Sequence, residues 1–256
     1  MSEGNGSYCR GHLAIVGIGP GAIEDMTIKA YNTLLEADVI VGYKTYLELI
    51  KQLLVDQEKE IVGTGMTKEV ERCQKALEIA AEGKNVAVIS SGDPGVYGMA
   101  GLVLELAETK GLLNQIKISV VPGVTAASAG ASVLGAPLMH DFSIISLSDL
   151  LTPWELILKR LEAAASSDFV VVLYNPKSHK RVEHIEKARE MFLKFRAGDT
   201  PVGVVKNALR SGQEMFVSDL EHFTELPIDM FTVVLIGNSQ TKVMGGKIVT
   251  PRGYSW

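Results

Sequence analysis

Cysteine is scarce in this sequence of 256 residues, which contains only Cys9 and Cys73. Two cysteines so far apart provide neither the dense framework of a disulfide-stabilised domain nor the paired spacing of a zinc site. The histidines other than His140 have no carboxylate or cysteine partner at ligand spacing, so the sequence predicts no metal site in the protein. This cysteine usage is typical of a cytoplasmic protein.

Long apolar runs are also missing. The runs at 99–106 and 169–174 are well short of the roughly 20 residues that cross a bilayer. Residues 1–11 are polar and glycine-rich, so we expect a flexible tail and no signal peptide. Lys plus Arg total 25 against 30 Asp plus Glu, and no dense basic run is present. Neither a membrane nor a nucleic acid is therefore an expected partner.

Apolar residues make up 46% of the chain, and the mean hydropathy of +0.18 supports packed cores. Short continuous runs of β-branched residues are predicted to be strands buried on both faces: 13–16, 38–41, 86–89, 116–121, 169–173, 202–205 and 231–236. Segments with helical periodicity alternate with them: 28–35, 68–81, 96–109, 153–164 and 179–195. This alternation predicts an α/β protein with mostly parallel sheet.

The alternation is interrupted near the middle of the chain. Residues 134–141 contain Gly135 and Pro137, and a second series of strands and helices follows. We therefore expect an N-terminal α/β domain over 12–137 and a C-terminal α/β domain over 138–256. The segment 213–218 alternates like a half-buried strand, with no helical pattern before the next strand, so the second sheet is expected to be mixed.

The first predicted strand ends in a glycine loop, Gly17–Ala22, that fits the dinucleotide fingerprint G-x-G-x-x-G/A. Two features disfavour a dinucleotide: Pro20 lacks an N–H donor, and the second strand ends at Gly42, where an acidic residue would be needed. The helix after the loop starts late, with Thr27 as its expected cap. A tight turn without any ligand remains an alternative.

Two further predicted strands end in small residues, at 90–95 and at 122–127. Asp93 can simply initiate a turn before Pro94, and Thr125 can simply cap the next helix. Ligands in parallel sheets bind beyond the carboxyl ends of the strands, however, and three such ends occur here. Together they predict a cleft for a small molecule.

These motifs in combination resemble the tetrapyrrole methylases from about His12 to about Ser239; the residues concerned are Gly17–Gly21, Thr27–Ala30, Gly92–Pro94 and Pro122–Ala126. The resemblance implies two α/β domains of the class III methyltransferase fold, with S-adenosylmethionine in the cleft between them, in a homodimer. It also implies these cofactor contacts: Pro20, Ser91, Gly92, Asp93, Val96, Thr125, Ala126, Asn175 and Ala208. Family members commonly have glycine where this chain has Ser91, a small change that leaves backbone contacts intact.

Three more segments of the sequence resemble one branch of that family: 138–142, 146–155 and 173–178. That branch methylates C17 of precorrin-3B, or of its cobalt-precorrin-3 counterpart, with ring contraction in cobalamin biosynthesis. A precorrin or cobalt-precorrin macrocycle is then the expected partner. Three alternatives stay open: methylation of another acceptor by a family relative, a nicotinamide-dependent oxidoreductase, and a non-catalytic binding module.

Ring contraction moves protons and calls for an acid or a base. His140, beside Asp141, is the first candidate, although a histidine satisfied by backbone groups is an equal alternative. The remaining candidates for contact with the macrocycle follow predicted strands and include cations that suit its carboxylates: Tyr43, Lys44, Ser146, Ser148, Asp149, Lys177, Lys206 and Arg210. Each of them can equally be a loop or surface residue.

Overall fold

The computed structural model describes residues 11–55, 57–65 and 67–255. The chain divides into two compact units, residues 1–125 and 126–256. The tail predicted over 1–11 lies outside the described residues except for Gly11.

The first unit contains one five-stranded sheet in the order β3-β2-β4-β1-β5, in which every pair of neighbours is parallel. Its strands are β1 (His12–Gly17), β2 (Val39–Tyr43), β3 (Glu60–Thr64), β4 (Asn85–Ser90) and β5 (Lys117–Val121). Gly17 pairs with Ser90, and Val16 pairs with Val121. The carboxyl ends of β4, β1 and β5 therefore lie side by side at one edge of the sheet.

Helices cover this sheet, because its strands are apolar on both faces. They are α1 (Ile28–Glu36), α2 (Lys44–Leu49), α3 (Lys51–Leu54), α4 (Glu69–Ala81) and α5 (Ala100–Thr109). One core cluster contains Leu34 of α1, and another contains Leu77 of α4 and Val103 of α5. Thr27 caps α1 as predicted, its hydroxyl accepting a hydrogen bond from the N–H of Ala30 at 3.1 Å.

The second unit begins with α6 (Ala126–Leu134) and is built on a mixed sheet in the order β10-β9-β11-β8-β7. β7 and β8 are parallel, while β11 is antiparallel to both β8 and β9. Its other elements are β6 (Gly135–Ala136), β7 (Phe142–Ser146), α7 (Trp154–Ser166), β8 (Val170–Tyr174), α8 (His184–Leu193), β9 (Pro201–Lys206), β10 (Glu214–Asp219), β11 (Thr232–Ile236), β12 (Lys242–Met244) and β13 (Lys247–Val249).

The two units divide before α6, earlier than the boundary expected at Pro137. Ala127 and Leu134 of α6 belong to the same core cluster as Val233 of β11. A side chain at Gly130 would come within 2.6 Å of a methyl carbon of Val233, so the helix lies close against that strand. The small apolar face of α6 thus packs on the second sheet, and the helix belongs to the second unit.

Two predicted helices begin later than expected. The helix predicted over 96–109 starts at Ala100, because Tyr97 has a left-handed φ of 52° that no helix accommodates. The helix predicted over 179–195 starts at His184, because Ser178 and Arg181 exchange two backbone hydrogen bonds in a turn. Helical periodicity in the sequence did not reveal these two turns.

His12, at the start of β1, makes a 2.7 Å hydrogen bond with the hydroxyl of Ser119 on β5. Partial burial lowers its pKa from the ordinary value of 6.5, Lys117 lowers it further, and Glu36 opposes the shift. The unfolded chain then binds the proton more tightly, so the stability that neutral His12 provides is lost as pH falls from about 6.5 towards the folded pKa.

We expect His12→Gln to reduce this loss of stability between about pH 7 and pH 5, since glutamine can keep a hydrogen bond without titrating. Chemical unfolding of both proteins across this pH range measures the effect. His179→Gln, at an exposed position, is the matched control. Identical pH profiles for wild type and His12→Gln would contradict the assignment.

Candidate functional site

The three glycine-bearing loops meet at one edge of the first sheet. Gly19 and Gly92 form an isolated antiparallel bridge with hydrogen bonds of 2.8 and 3.2 Å between their backbones. The N–H of Ile18 donates to the C=O of Ser90 at 2.9 Å. The loops after β1 and β4 are therefore hydrogen-bonded to each other beyond the ends of their strands.

Asp93 connects two of these loops. One of its carboxylate oxygens accepts the N–H of Gly95 at 2.8 Å, which is the turn that the sequence left open as an alternative. The other accepts the N–H of Gly123, after β5, at 3.1 Å. The carboxylate thus has a structural function that joins the loops after β4 and β5.

Gly17 and Gly123 are glycines because no side chain fits at either position. A Cβ on Gly123 would lie 2.1 Å from the C=O oxygen of Gly92 and 2.7 Å from that of Gly17. A Cβ on Gly17 would lie 2.6 Å from the same oxygen of Gly92. Three backbones approach so closely here that the edge has one defined shape.

The cofactor residues expected in the first unit lie at this edge. Pro20 is buried, whereas the others are partly exposed: Ser91, Gly92, Asp93, Val96 and Thr125. Tyr97 is 59% exposed beside them in a left-handed backbone conformation. An exposed aromatic side chain in this uncommon conformation is typical of a functional loop.

Tyr43 is the last residue of β2, the neighbour of β4, and Lys44 follows it, so both belong to the same edge. The Tyr43 ring lies 5.9 Å from the guanidinium of Arg72, which is buried. Arg72 donates to the Thr64 hydroxyl at 2.7 Å, so it attaches the end of β3 to α4. Lys44 is exposed at the start of α2.

The second unit has a corresponding edge. Because β8 and β9 are both antiparallel to β11, they run in the same direction, and Asn175 and Ala208 follow their carboxyl ends. Arg210 lies in the same turn as Ala208, and Lys177 is partly buried after Asn175. Lys206 forms an ion pair with Asp229 at 2.9 Å that raises the pKa of its amine.

The loop after β7 reaches the loop after β8. The amide of Asn175 donates to the hydroxyl of Ser146 at 2.9 Å. Ser146, Ser148 and Asp149, all expected to contact the macrocycle, are in one cluster with Asn175, because Arg181 contacts Asn175, Ser148 and Asp149. The structure thus joins residues that the sequence assigned separately to acceptor and cofactor.

Trp154, Arg181 and His184 also belong to this cluster, and sequence reasoning missed Arg181. Asp149, which is distant from His184 in the sequence, lies 3.6 Å from the Nε2 of His184. The His184 ring stacks on Trp154 with ring centres 3.9 Å apart. The pairing of β7 with β8 and the packing of α7 against α8 bring these distant parts of the sequence together.

His140 and Asp141 lie at the opposite end of β7. They precede that strand and line a cavity of about 270 Å³ together with residues that precede β8 and follow β11: Ser167, Asp168, Phe169, Asn238, Ser239 and Gln240. Ser146 is at the other end of the same five-residue strand, and a strand rises about 3.3 Å per residue. Their placement therefore gives no support to the predicted acid and base roles.

Within the described ranges, no group of three or more His, Cys, Asp or Glu residues is arranged to hold a metal ion. No helix in the described part of the chain has the length and apolar character needed to cross a membrane.

Known proteins resemble this chain over nearly its whole length. The family model described as tetrapyrrole (corrin/porphyrin) methylases matches residues 12–224. A cobalt-factor III methyltransferase of Priestia megaterium is 51% identical over 96% of this chain, which spans 45% of that protein. A probable cobalt-factor III C(17)-methyltransferase of Salmonella typhimurium is 49% identical, over 95% of this chain and 99% of that protein. The crystal structure of the methyltransferase CobJ is 36% identical, with a TM-score of 0.88 over 94% of this chain and 100% of that one.

Proposed function

This chain belongs to the tetrapyrrole (corrin/porphyrin) methylase family, and from that premise we propose that it transfers a methyl group from S-adenosylmethionine to C17 of a cobalt-containing corrin precursor in cobalamin biosynthesis. Relatives at 49% and 51% identity have cobalt-factor III in their names, which favours an acceptor that carries cobalt. The cobalt then enters as part of the substrate. A metal-free precorrin is the second candidate, because the sequence resemblance covers both the precorrin-3B and the cobalt-precorrin-3 enzymes.

The observation that carries the proposal is the convergence of three glycine-bearing loops at the carboxyl edge of the first sheet. Backbone groups and small residues at such an edge allow a ligand to approach the chain closely. Ser91, Val96 and Thr125 are partly exposed there, which supports their proposed contacts with S-adenosylmethionine. The loops differ from a dinucleotide site, since β2 ends in Gly42 and Tyr43 and has no acidic residue there.

S-adenosylmethionine carries the methyl group on a sulfonium. A carbon of the macrocycle attacks this methyl group as S-adenosylhomocysteine leaves, so the reaction requires no nucleophilic side chain of the protein. The task of this chain is to hold donor and acceptor in line, and such orientation contributes up to roughly 7 to 11 kcal/mol in well-aligned systems. The bridge between Gly19 and Gly92 and the two hydrogen bonds of Asp93 give the first edge the rigidity that this task needs.

The second unit is proposed to contribute contacts through Asn175 and Ala208 to the cofactor. The loop Ser146–Asp149, with Lys177 and Arg210, is proposed to contact the acceptor. The hydrogen bond between Ser146 of this loop and Asn175 supports the assignment. The acid and base roles of His140 and Asp141, a homodimer and a cytoplasmic location stay predictions.

A methylation assay tests the proposed function. We expect the protein, given S-adenosylmethionine and cobalt-factor III, to produce S-adenosylhomocysteine and a macrocycle that is heavier by one methyl group. Mass spectrometry measures the gain, and carbon NMR with a labelled methyl group identifies the carbon. Metal-free precorrin-3B is offered in parallel, and we expect slower turnover with it.

The alternatives predict different results. A methyl group on a carbon other than C17 would place the chain in another branch of the family. Binding of a nicotinamide dinucleotide without S-adenosylmethionine binding would favour the oxidoreductase. Binding of S-adenosylhomocysteine without methylation of either macrocycle would favour a binding module.

A further inference from the structure

Arg181 lies between β8 and α8, and its guanidinium joins two loops of the second unit. Nη2 donates to the C=O of Asn175, directly after β8, at 2.9 Å. Nη1 is 3.5 Å from the hydroxyl of Ser148 and 3.9 Å from a carboxylate oxygen of Asp149, both after β7. One side chain therefore contacts the residues that follow two neighbouring strands.

The burial of this guanidinium is costly for folding. The side chain is only 9% exposed, and its Nε is buried without a hydrogen-bond acceptor among the described residues. Burial lowers the pKa of Arg181, and the charge of Asp149 only opposes this shift. Well-packed apolar residues often stabilise a fold as well as a buried ion pair does. Stability alone therefore does not account for an arginine at this position.

The loops that Arg181 contacts have an uncommon backbone conformation and are hydrogen-bonded to each other. Asn175 has a left-handed φ of 50°, which is uncommon for a residue other than glycine. Its side chain donates to the Ser146 hydroxyl, which also accepts the N–H of Ser148 at 3.2 Å. The loops after β7 and β8 thus share one hydrogen-bond network, and Arg181 contacts it at both ends.

His184, the first residue of α8, contacts the loop after β7 as well. Its Nδ1 is 3.0 Å from the C=O of Leu147, and its Nε2 faces the carboxylate of Asp149. Asp149 therefore lies between Arg181 and His184, with its side chain 41% exposed. This arrangement fixes the direction of an accessible carboxylate at the edge where the acceptor loop is proposed to act.

We infer that Arg181 is a positioning residue that holds Asn175 and the loop Ser146–Asp149 in one geometry, so that both are preorganised for methyl donor and acceptor. The inference rests on the proposed function for its consequence in binding. The forked guanidinium is essential to it, because two of its nitrogens contact different loops at once. A lysine has the charge but not the fork.

Arg181→Met and Arg181→Lys test the inference. Hydrogen exchange followed by mass spectrometry is measured over 146–149 and 175–178, together with the Kd of S-adenosylhomocysteine and the kcat and KM for the macrocycle. In both variants we expect roughly tenfold faster exchange in the two segments and at least tenfold weaker S-adenosylhomocysteine binding, since a hydrogen bond from a charged group is lost. A purely structural residue would lower the unfolding midpoint and leave the Kd of the folded protein unchanged.

Arg189→Met is the matched control, because Arg189 on α8 also contacts a carboxylate, that of Glu186, and a backbone C=O, that of Glu221. We expect wild-type exchange over both segments and a wild-type Kd in this variant. Wild-type exchange and a wild-type Kd in Arg181→Met would overturn the inference. Wild-type values in Arg181→Lys would overturn the need for the fork, and this variant alone decides if Arg181→Met does not fold. Absence of S-adenosylhomocysteine binding by the wild type would count against the proposed function instead, while the exchange measurement would still test the positioning.

Discussion

Gly123→Ala is expected to destabilise the first unit by roughly 3 kcal/mol or more and to abolish detectable S-adenosylhomocysteine binding. The new methyl group would lie 2.1 Å from the C=O oxygen of Gly92 and 2.7 Å from that of Gly17. Both obstructing atoms are backbone, so no side-chain rotation relieves the overlap, and overpacking of this kind costs about 1–3 kcal/mol even where side chains can shift. Chemical denaturation and calorimetric titration measure the two effects.

Gly101→Ala is the matched control for this prediction. Gly101 is exposed on α5, and apart from its chain neighbours and its own helix backbone no atom lies within 4 Å of the position that its Cβ would occupy. Alanine in a helix is more stable than glycine by about 0.5–1 kcal/mol, so this variant is expected to be slightly more stable and to bind normally. If Gly123→Ala had the stability and affinity of Gly101→Ala, the close approach of the three loops would be refuted.

Asp93→Ala is expected to weaken S-adenosylhomocysteine binding at least tenfold and to lower the free energy of unfolding by about 3 kcal/mol or more. The substitution removes both acceptors that join the loops after β4 and β5, namely those for the N–H groups of Gly95 and Gly123. Hydrogen bonds to charged groups contribute about 1.5–3 kcal/mol each, with the exposed bond to Gly95 at the low end. The same titration and denaturation experiments measure the result.

Two further variants separate the roles of Asp93. Asp93→Asn keeps one acceptor for Gly95 but loses the bond to Gly123, so an intermediate affinity is expected. Asp38→Ala is the matched control, because Asp38 accepts the N–H of Asn85 at 2.9 Å at the opposite edge of the same sheet. Binding is expected to stay at the wild-type level there. Equal loss of affinity in the Asp38 and Asp93 variants would show that the effect is general destabilisation.

Much of the fold was predictable because parallel strands buried on both faces have a distinctive composition. The runs at 13–16, 86–89 and 116–121 became β1, β4 and β5, and the late start of the first helix followed from Thr27. The short elements β6, β12 and β13 were not predicted, since two or three residues are too few to show a period. The position of the junction before α6 also escaped prediction, because the apolar face of a helix does not indicate which sheet it covers.

Some residues of the candidate site could likewise be identified from the sequence, whereas others could not. Its glycines and Asp93 could be identified from the sequence, because close backbone approach requires residues of that kind directly after strands. The cluster of Asp149, Arg181 and His184 could not, because its members are far apart in the sequence and ordinary in type. The sequence also suggested His140, which the direction of β7 places at the other end of the strand from Ser146.

The family, the α/β class and the three glycine-bearing strand ends could be recognised from the amino-acid sequence, because these depend on local composition and on motifs. That β4, β1 and β5 are neighbours, and that Asp93 joins two of their loops, became clear from the folded chain. It alone brought Arg181 to both Asn175 and Ser148. The physical reason is that strand order and direction determine which loops meet, and local patterns in the sequence do not specify that order.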